Sequence, residues 1–220
     1  KLIRIMIKAG KLERAMDRVH YLYDFITSDD LISKVDIQIE HAYILYFQNE
    51  LSQSNELSIA TIELAQSINY LDGEMRAAYV KCKCLVGAGD LDAHRKMTDH
   101  YLQLSQQENN VKHLAVFFNE LGINFLYNNL FSQGMEAFKK SLNYYQQLED
   151  DENIIKLYNN LGVIKSDGYG DYIEAREYFR RAYTRANNKN YLVNLPIYLN
   201  NLGETYRIEG RYEMAIKQFA

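Results

Sequence analysis

Asparagine recurs in this chain at a spacing suited to recognition chemistry. Asn119-Glu120-Leu121-Gly122, Asn159-Asn160-Leu161-Gly162 and Asn200-Asn201-Leu202-Gly203 repeat, with their glycines 40 and then 41 residues apart. A side-chain carboxamide both donates and accepts. A ladder of them can therefore satisfy the backbone amides and carbonyls of an extended polypeptide without demanding one sequence. Glu120 departs from the paired-asparagine pattern. Cations accompany the amides: Lys156 stands six residues before Gly162 and Arg207 four after Gly203, and Arg76, Tyr79 and Lys83 cluster further towards the N-terminus. Positive charge among amides suits a carboxylate or an acidic side chain on the ligand.

Other chemistries find no matching pattern. The five histidines show no metal-ligand spacing: His94 and His100, six apart, fall on different helical faces, and His-Glu-x-x-His is absent. Gly168-Tyr169-Gly170 is too short for a phosphate loop and reads as an inter-helix turn lengthened by one residue. Serine and cysteine nucleophile contexts are missing. Cys82 and Cys84, two apart on a helix, diverge by roughly 200° and are expected to be buried thiols rather than a bridge or metal pair. No catalytic residue, metal or cofactor is expected, and so no enzyme. The net charge is −4 with both signs interspersed, which speaks against nucleic acid as a ligand of this segment. No run reaches 18 apolar residues, so no membrane contact is expected. Reduced cysteines fit the cytoplasm and leave the periplasm open.

The elements that must position the asparagines are helices. The chain is 47% apolar with one proline and no linker-like tract, which predicts one continuous unit over 1–220. After Leu202-Gly203 come Tyr206, Gly210, Tyr212, Ala215 and Phe219, and one repeat earlier Ala175, Phe179 and Ala182 give the same small-large-small spacing. This is a helix, a turn and a second helix. Small residues let the two helices approach, Tyr206, Tyr212 and Phe219 fill the space around the contact, and Gly210 serves the turn. Forty-residue steps back from Gly122 reach Cys82 and then Ala42. Gly89-Asp90-Leu91 keeps its turn; after Ala42 the second helix resumes at Ser58, Ile62 and Ala65, which predicts a turn about four residues longer. The first unit keeps Gly10, Leu12, Ala15, Val19 and Leu22.

Helices are thus expected near 1–8, 11–27, 31–48, 55–70, 74–87, 91–107, 111–129, 132–148, 152–167, 171–187, 192–208 and 211–220. They pair into repeats at about 1–30, 31–72, 73–110, 111–150, 151–190 and 191–220, the last truncated. Asp29-Asp30, Asp72-Gly73 and Glu149-Asp150-Asp151-Glu152 supply acidic residues to helix N-termini, and Pro196 must lie in a first turn behind Asn194 as cap. Both chain ends fall inside helices with no polar capping element, which predicts a segment of a larger protein with an output domain outside it.

In these residues the chain resembles the tetratricopeptide repeat family, most closely in its last three repeats. The resemblance implies an all-α, right-handed superhelical solenoid of antiparallel helix pairs. It also implies a concave groove that takes a protein or peptide ligand through Asn119, Asn159, Asn160, Asn200 and Asn201, flanked by Lys156, Arg207, Arg76, Tyr79 and Lys83. The family's carboxylate clamp is not reproduced, so a chaperone C-terminal tail is not the expected ligand. Repeats of 40 residues resemble the arrays attached to bacterial signalling proteins, which implies a sensory or regulatory arm; the alternative is a passive scaffold for assembly or self-association. An RNA-binding array would need a basic groove, against which the −4 charge stands.

Overall fold

The computed structural model describes residues 2–219, the side chains of Leu192 and Phe219 excepted. Two compact units divide the chain, Lys1–Tyr101 and Leu102–Ala220. The first holds α1 (Leu2–Lys8), α2 (Leu12–Phe25), α3 (Leu31–Phe47), α4 (Leu51–Ser67), α5 (Leu71–Gly87) and most of α6 (Leu91–Gln107). The second holds the rest of α6, then α7 (Val111–Tyr127), α8 (Phe131–Gln147), α9 (Asp151–Val163) with a π-helical turn Ile164–Gly168, and α10 (Tyr172–Asn188). A 3-10 turn Leu192–Asn194, α11 (Leu195–Ile208) and α12 (Tyr212–Phe219) complete it. The fold is all-α, with no strand among the described residues and the helices packed as consecutive pairs.

A turn code repeats beneath the hairpin. From α3 to α8 each helix has 17 residues and the connecting turns have three, so the 40-residue period is two 20-residue halves. From α3 to α11 each helix is followed by a residue with left-handed backbone: Asn49, Asn69, Gly89, Asn109, Asn129, Glu149, Gly170, Asn190 and Gly210. The next amide then reaches back to a carbonyl of the last helical turn, as in Glu50 to Leu45 at 2.9 Å and Leu130 to Phe125 at 2.8 Å. Glycine and asparagine tolerate this conformation; Glu149, at φ +53°, is strained in it. Glu149→Gly is accordingly expected to stabilise the protein by about 1 kcal/mol. A higher urea midpoint with unchanged slope is the result that checks it.

Small residues set the helix approach as expected. A Cβ on Gly122 would lie 2.4 Å from the ring of Phe138, and one on Gly162 would lie 2.5 Å from Phe179. Both rings are buried, as are Ala175, Ala182 and Ala215. The glycine spacing of 41 after Gly162 comes from the π-helical turn, which adds the residue expected at Gly168-Tyr169-Gly170. Pro196 lies in the first turn of α11 with Asn194 at the cap position, although the Asn194 side chain makes no capping bond. Asp30 and Asp150 do cap, accepting from the amides of Ser33 and Asn153.

Two expectations fail. The turn after α3 is not lengthened: α4 begins at Leu51, and α5 at Leu71. The residues that correspond to Gly134, Phe138 and Ser141 are Ser54, Ser58 and Thr61, all fully buried. Ser58, Ile62 and Ala65 lie one helical turn further on the same face, where a four-residue slip preserves the apolar period. Tyr212 does not fill the helix contact; it is 64% exposed. Phe219, assigned to the same contact, has its side chain outside the described residues.

The slip hides a polar seam in the first unit. Ser54 Oγ donates to the Ala42 carbonyl at 2.7 Å, Thr61 to Leu57 at 2.6 Å, and Cys84 Sγ to Ser54 Oγ at 3.1 Å. Tyr101 donates to Glu74 at 3.0 Å. Cys82 and Cys84 are buried thiols in no disulfide among the described residues, and burial pushes the Cys84 thiol up. Polar groups sit where the second unit places glycine and phenylalanine, and hydrogen bonding meets their burial cost.

His41 makes part of this unit pH-sensitive. It is half-buried, 3.3 Å from the Tyr23 hydroxyl, and burial, followed by the neighbouring His20, lowers its pKa. The unfolded chain then takes up a proton that the folded chain refuses, so stability falls as pH drops below the ordinary histidine value near 6.5. The loss levels off below the folded pKa. His41→Gln is expected to flatten this slope in urea titrations taken across that window.

Candidate functional site

The asparagine row lies on α7, α9 and α11, the first helices of the three hairpins in the second unit. Leu161 and Leu202, together with Gly122, Gly162 and Gly203, are buried. Asn119, Asn159, Asn160 and Asn201 are half-buried and Asn200 is exposed. The helical positions next to the buried Leu-Gly steps thus carry amides with access to solvent.

One rung of the row is closed. Asn201 Nδ2 donates to Asn159 Oδ1 at 2.7 Å, tying α11 to α9. Asn119 turns to its own neighbour and donates to Glu120 at 3.2 Å; Glu120 is fully buried, whereas Asn160 and Asn201 at the equivalent positions are half-buried. Asn160 and Asn200 make no side-chain hydrogen bond among the described residues. The row therefore combines an inter-helix bond with two uncommitted carboxamides, each able to donate and accept.

The cations are less available than their sequence positions imply. Lys156 pairs with Glu152 at 2.9 Å, one turn before it. Arg207 forms a two-pronged pair with Glu204 at 2.8 and 2.5 Å. Both pairs are solvent-exposed and leave their partners exchangeable.

Arg76, Tyr79 and Lys83 belong to the first unit. Arg76 is held by Asp36 at 2.6 Å, with Asp72 at 3.5 Å and Glu40 at 3.7 Å. Burial works against its charge, but the surrounding carboxylates outweigh it and raise its pKa further. Tyr79 stacks with Tyr43 at 6.3 Å between centroids, and the Lys83 ammonium lies 5.2 Å from the Tyr79 ring. Tyr43 in turn touches Phe47 at 5.3 Å. The structure thus brings Tyr79 and Lys83 together in an aromatic cluster and sets Arg76 apart in a carboxylate cradle. Sequence reasoning missed Asp36 and Glu40, which lie 40 and 36 residues before Arg76, and Tyr43, which lies 36 before Tyr79.

Among the described residues no group of three histidine, cysteine or acidic side chains could hold a metal ion. Among the described residues no helix is long and apolar enough to cross a membrane. Polar amides on helices braced by close glycine contacts can recognise backbone groups, and nothing in their arrangement supplies a nucleophile with a base.

The sequence matches no protein-family model, and no curated protein is similar to it at a meaningful level. Solved structures do match. BtubC from P. vanneervenii superposes with a TM-score of 0.73 at 17% identity, covering 99% of this chain and 88% of that one. A Rap protein complexed with Competence and Sporulation Factor gives 0.79 at 15% identity over 93% of this chain and 56% of its own. A signal transduction ATPase with numerous domains and a tetratricopeptide repeat sensor, from Pyrococcus horikoshii, gives 0.71 at 12% identity, over 99% of this chain and 34% of that one. Identities of this order show the fold, and the fold of this chain is that of the tetratricopeptide-type helical repeat proteins.

Proposed function

We propose that this chain is a non-enzymatic binding module whose second unit takes an extended peptide or a segment of a partner protein along α7, α9 and α11. The observation that carries the reading is the pair of uncommitted carboxamides, Asn160 and Asn200, beside the Asn201–Asn159 bond of 2.7 Å. The closed rung fixes the spacing of α9 and α11, and the open amides meet the ligand backbone. Glu152 and Glu204 yield Lys156 and Arg207 to acidic groups on the ligand. In the first unit, Arg76, Tyr79 and Lys83 offer a second contact surface of cationic and aromatic groups.

The same fold serves ligand binding in the Rap protein complexed with Competence and Sporulation Factor and forms the sensor of the Pyrococcus horikoshii ATPase. These likenesses favour a regulatory arm of a bacterial signalling protein, in which ligand binding selects one packing of the hairpins over another and an output domain reads the change. A passive, self-associating scaffold is the second reading. It is favoured by Ile208, Tyr212 and Ile216, which are 45%, 64% and 64% exposed on α11 and α12.

A quantitative pull-down from a lysate of the source organism tests the primary reading. The array is compared with a variant in which Asn159, Asn160, Asn200 and Asn201 are alanine. Partners retained by the first and lost by the folded variant support the ladder; an unchanged set of partners contradicts it.

A further inference from the structure

Helix α10 concentrates positive charge on an otherwise acidic protein. It and the following residue carry Arg176, Arg180, Arg181, Arg185 and Lys189 against Glu174 and Glu177, whereas the whole chain has a net charge of −4. Arg176 is buried over the Tyr206 ring. The other four cations line an open cleft of about 500 Å³ between α10 and Tyr158 of α9.

Two carboxylates serve these four cations. Glu177 pairs with Arg180 at 3.3 Å and Arg181 at 3.0 Å; Asp151 pairs with Arg185 at 2.7 Å and Lys189 at 2.6 Å. A guanidinium has five N–H donors, so these bonds leave most of the donor capacity of the cleft unspent. Arg181, Arg185 and Lys189 fall on successive turns of one helical stripe, about 6 Å apart. Alternate residues of an extended chain project to the same side at nearly that interval, about 6.8 Å. The register of the cations thus matches carboxylates placed at every second residue of a strand. Tyr178 supports the stripe, with the Arg181 guanidinium 5.9 Å from its ring.

We propose that this cleft docks an acidic segment of a partner protein, bound in extended form with carboxylates on alternate residues. Glu177, one turn before Arg181, and Asp151 of α9, beside Arg185 and Lys189, repel a continuous run of phosphates. Discrete carboxylates can be placed between them, which favours an acidic polypeptide over nucleic acid. The lining of the cleft shares no residue with the asparagine row.

The test is fluorescence anisotropy with a labelled peptide of alternating glutamate and alanine, at about 50 mM salt where the screening length is still long. An alternating glutamine and alanine peptide and an oligodeoxythymidylate of equal length run alongside. The glutamate peptide is expected to bind at least about tenfold more tightly than either. Arg180→Ala with Arg181→Ala is expected to weaken it at least about tenfold, and Arg185→Ala with Lys189→Ala comparably. Lys139→Ala on α8 leaves it unchanged. The first double variant removes exposed pairs with Glu177 and the Arg181 contact with Tyr178, and its circular dichroism verifies that it folds. Equal binding of the glutamate and glutamine peptides, unaltered binding by both double variants, or tighter binding of the oligonucleotide overturns the proposal.

Discussion

Gly162→Ala and Gly122→Ala are each expected to destabilise the protein by about 2 to 3 kcal/mol, although alanine is the better helix former. A new Cβ would stand 2.5 Å from Phe179 in one case and 2.4 Å from Phe138 in the other. Those rings are 2% and 0% exposed, so they cannot swing into solvent. The intrinsic helix gain of about 1 kcal/mol is outweighed by displacing a packed ring and the helix that carries it. Phe138→Leu in the Gly122→Ala background should recover part of the loss, giving a favourable coupling in a double-mutant cycle. Gly89→Ala separates contact from backbone strain. It has no atom within 4 Å of its new Cβ but sits at φ +76°, so its cost should be only about 1 kcal/mol. Urea unfolding of the four variants checks the order.

Asn160→Ala with Asn200→Ala should lower affinity for a captured peptide by about three orders of magnitude while leaving stability nearly unchanged. Each carboxamide is assigned one donated and one accepted bond to the ligand backbone, at about 1 kcal/mol apiece. Neither side chain makes a hydrogen bond within the described protein, so the folded state loses nothing by the change. Asn159→Ala with Asn201→Ala should behave differently. It removes the 2.7 Å bond between α9 and α11, so it should cost about 1 kcal/mol of stability and weaken binding through the altered spacing of the rungs. Calorimetry on the peptide and urea unfolding on the protein, applied to both variants, separate the two roles that one row of asparagines combines.

The hairpins of the second unit were legible because their small residues are glycine and alanine and their large ones aromatic. Gly122 facing Phe138 and Gly162 facing Phe179 are contacts that the spacing alone implies. The first unit solves the same geometry with Ser54, Ser58, Thr61, Cys82 and Thr98, whose hydroxyls and thiols resemble surface residues until their partners are known. An apolar period four residues out of step then gave the better match. The turn code is written in the sequence: asparagines at 49, 69, 109, 129 and 190 mark helix ends as plainly as Gly89 and Gly210 do. At the site, spacing placed the asparagines on three helices of the second unit. It did not reveal that Asn201 is spent on Asn159, or that Asp36 and Glu40 surround Arg76, because such pairings depend on the distance between helices and not on position along one.

The most direct test of the account is the behaviour of the asparagine side-chain amides in solution. Peptides selected on the array from a random library, titrated into ¹⁵N-labelled protein, should shift the carboxamide resonances of Asn160 and Asn200 while those of Asn159 and Asn201 keep the signature of their mutual bond. Selection against the Asn160→Ala, Asn200→Ala protein should fail to enrich the same peptides. Peptides that bind both proteins equally and leave the Asn160 and Asn200 resonances unmoved would contradict the account.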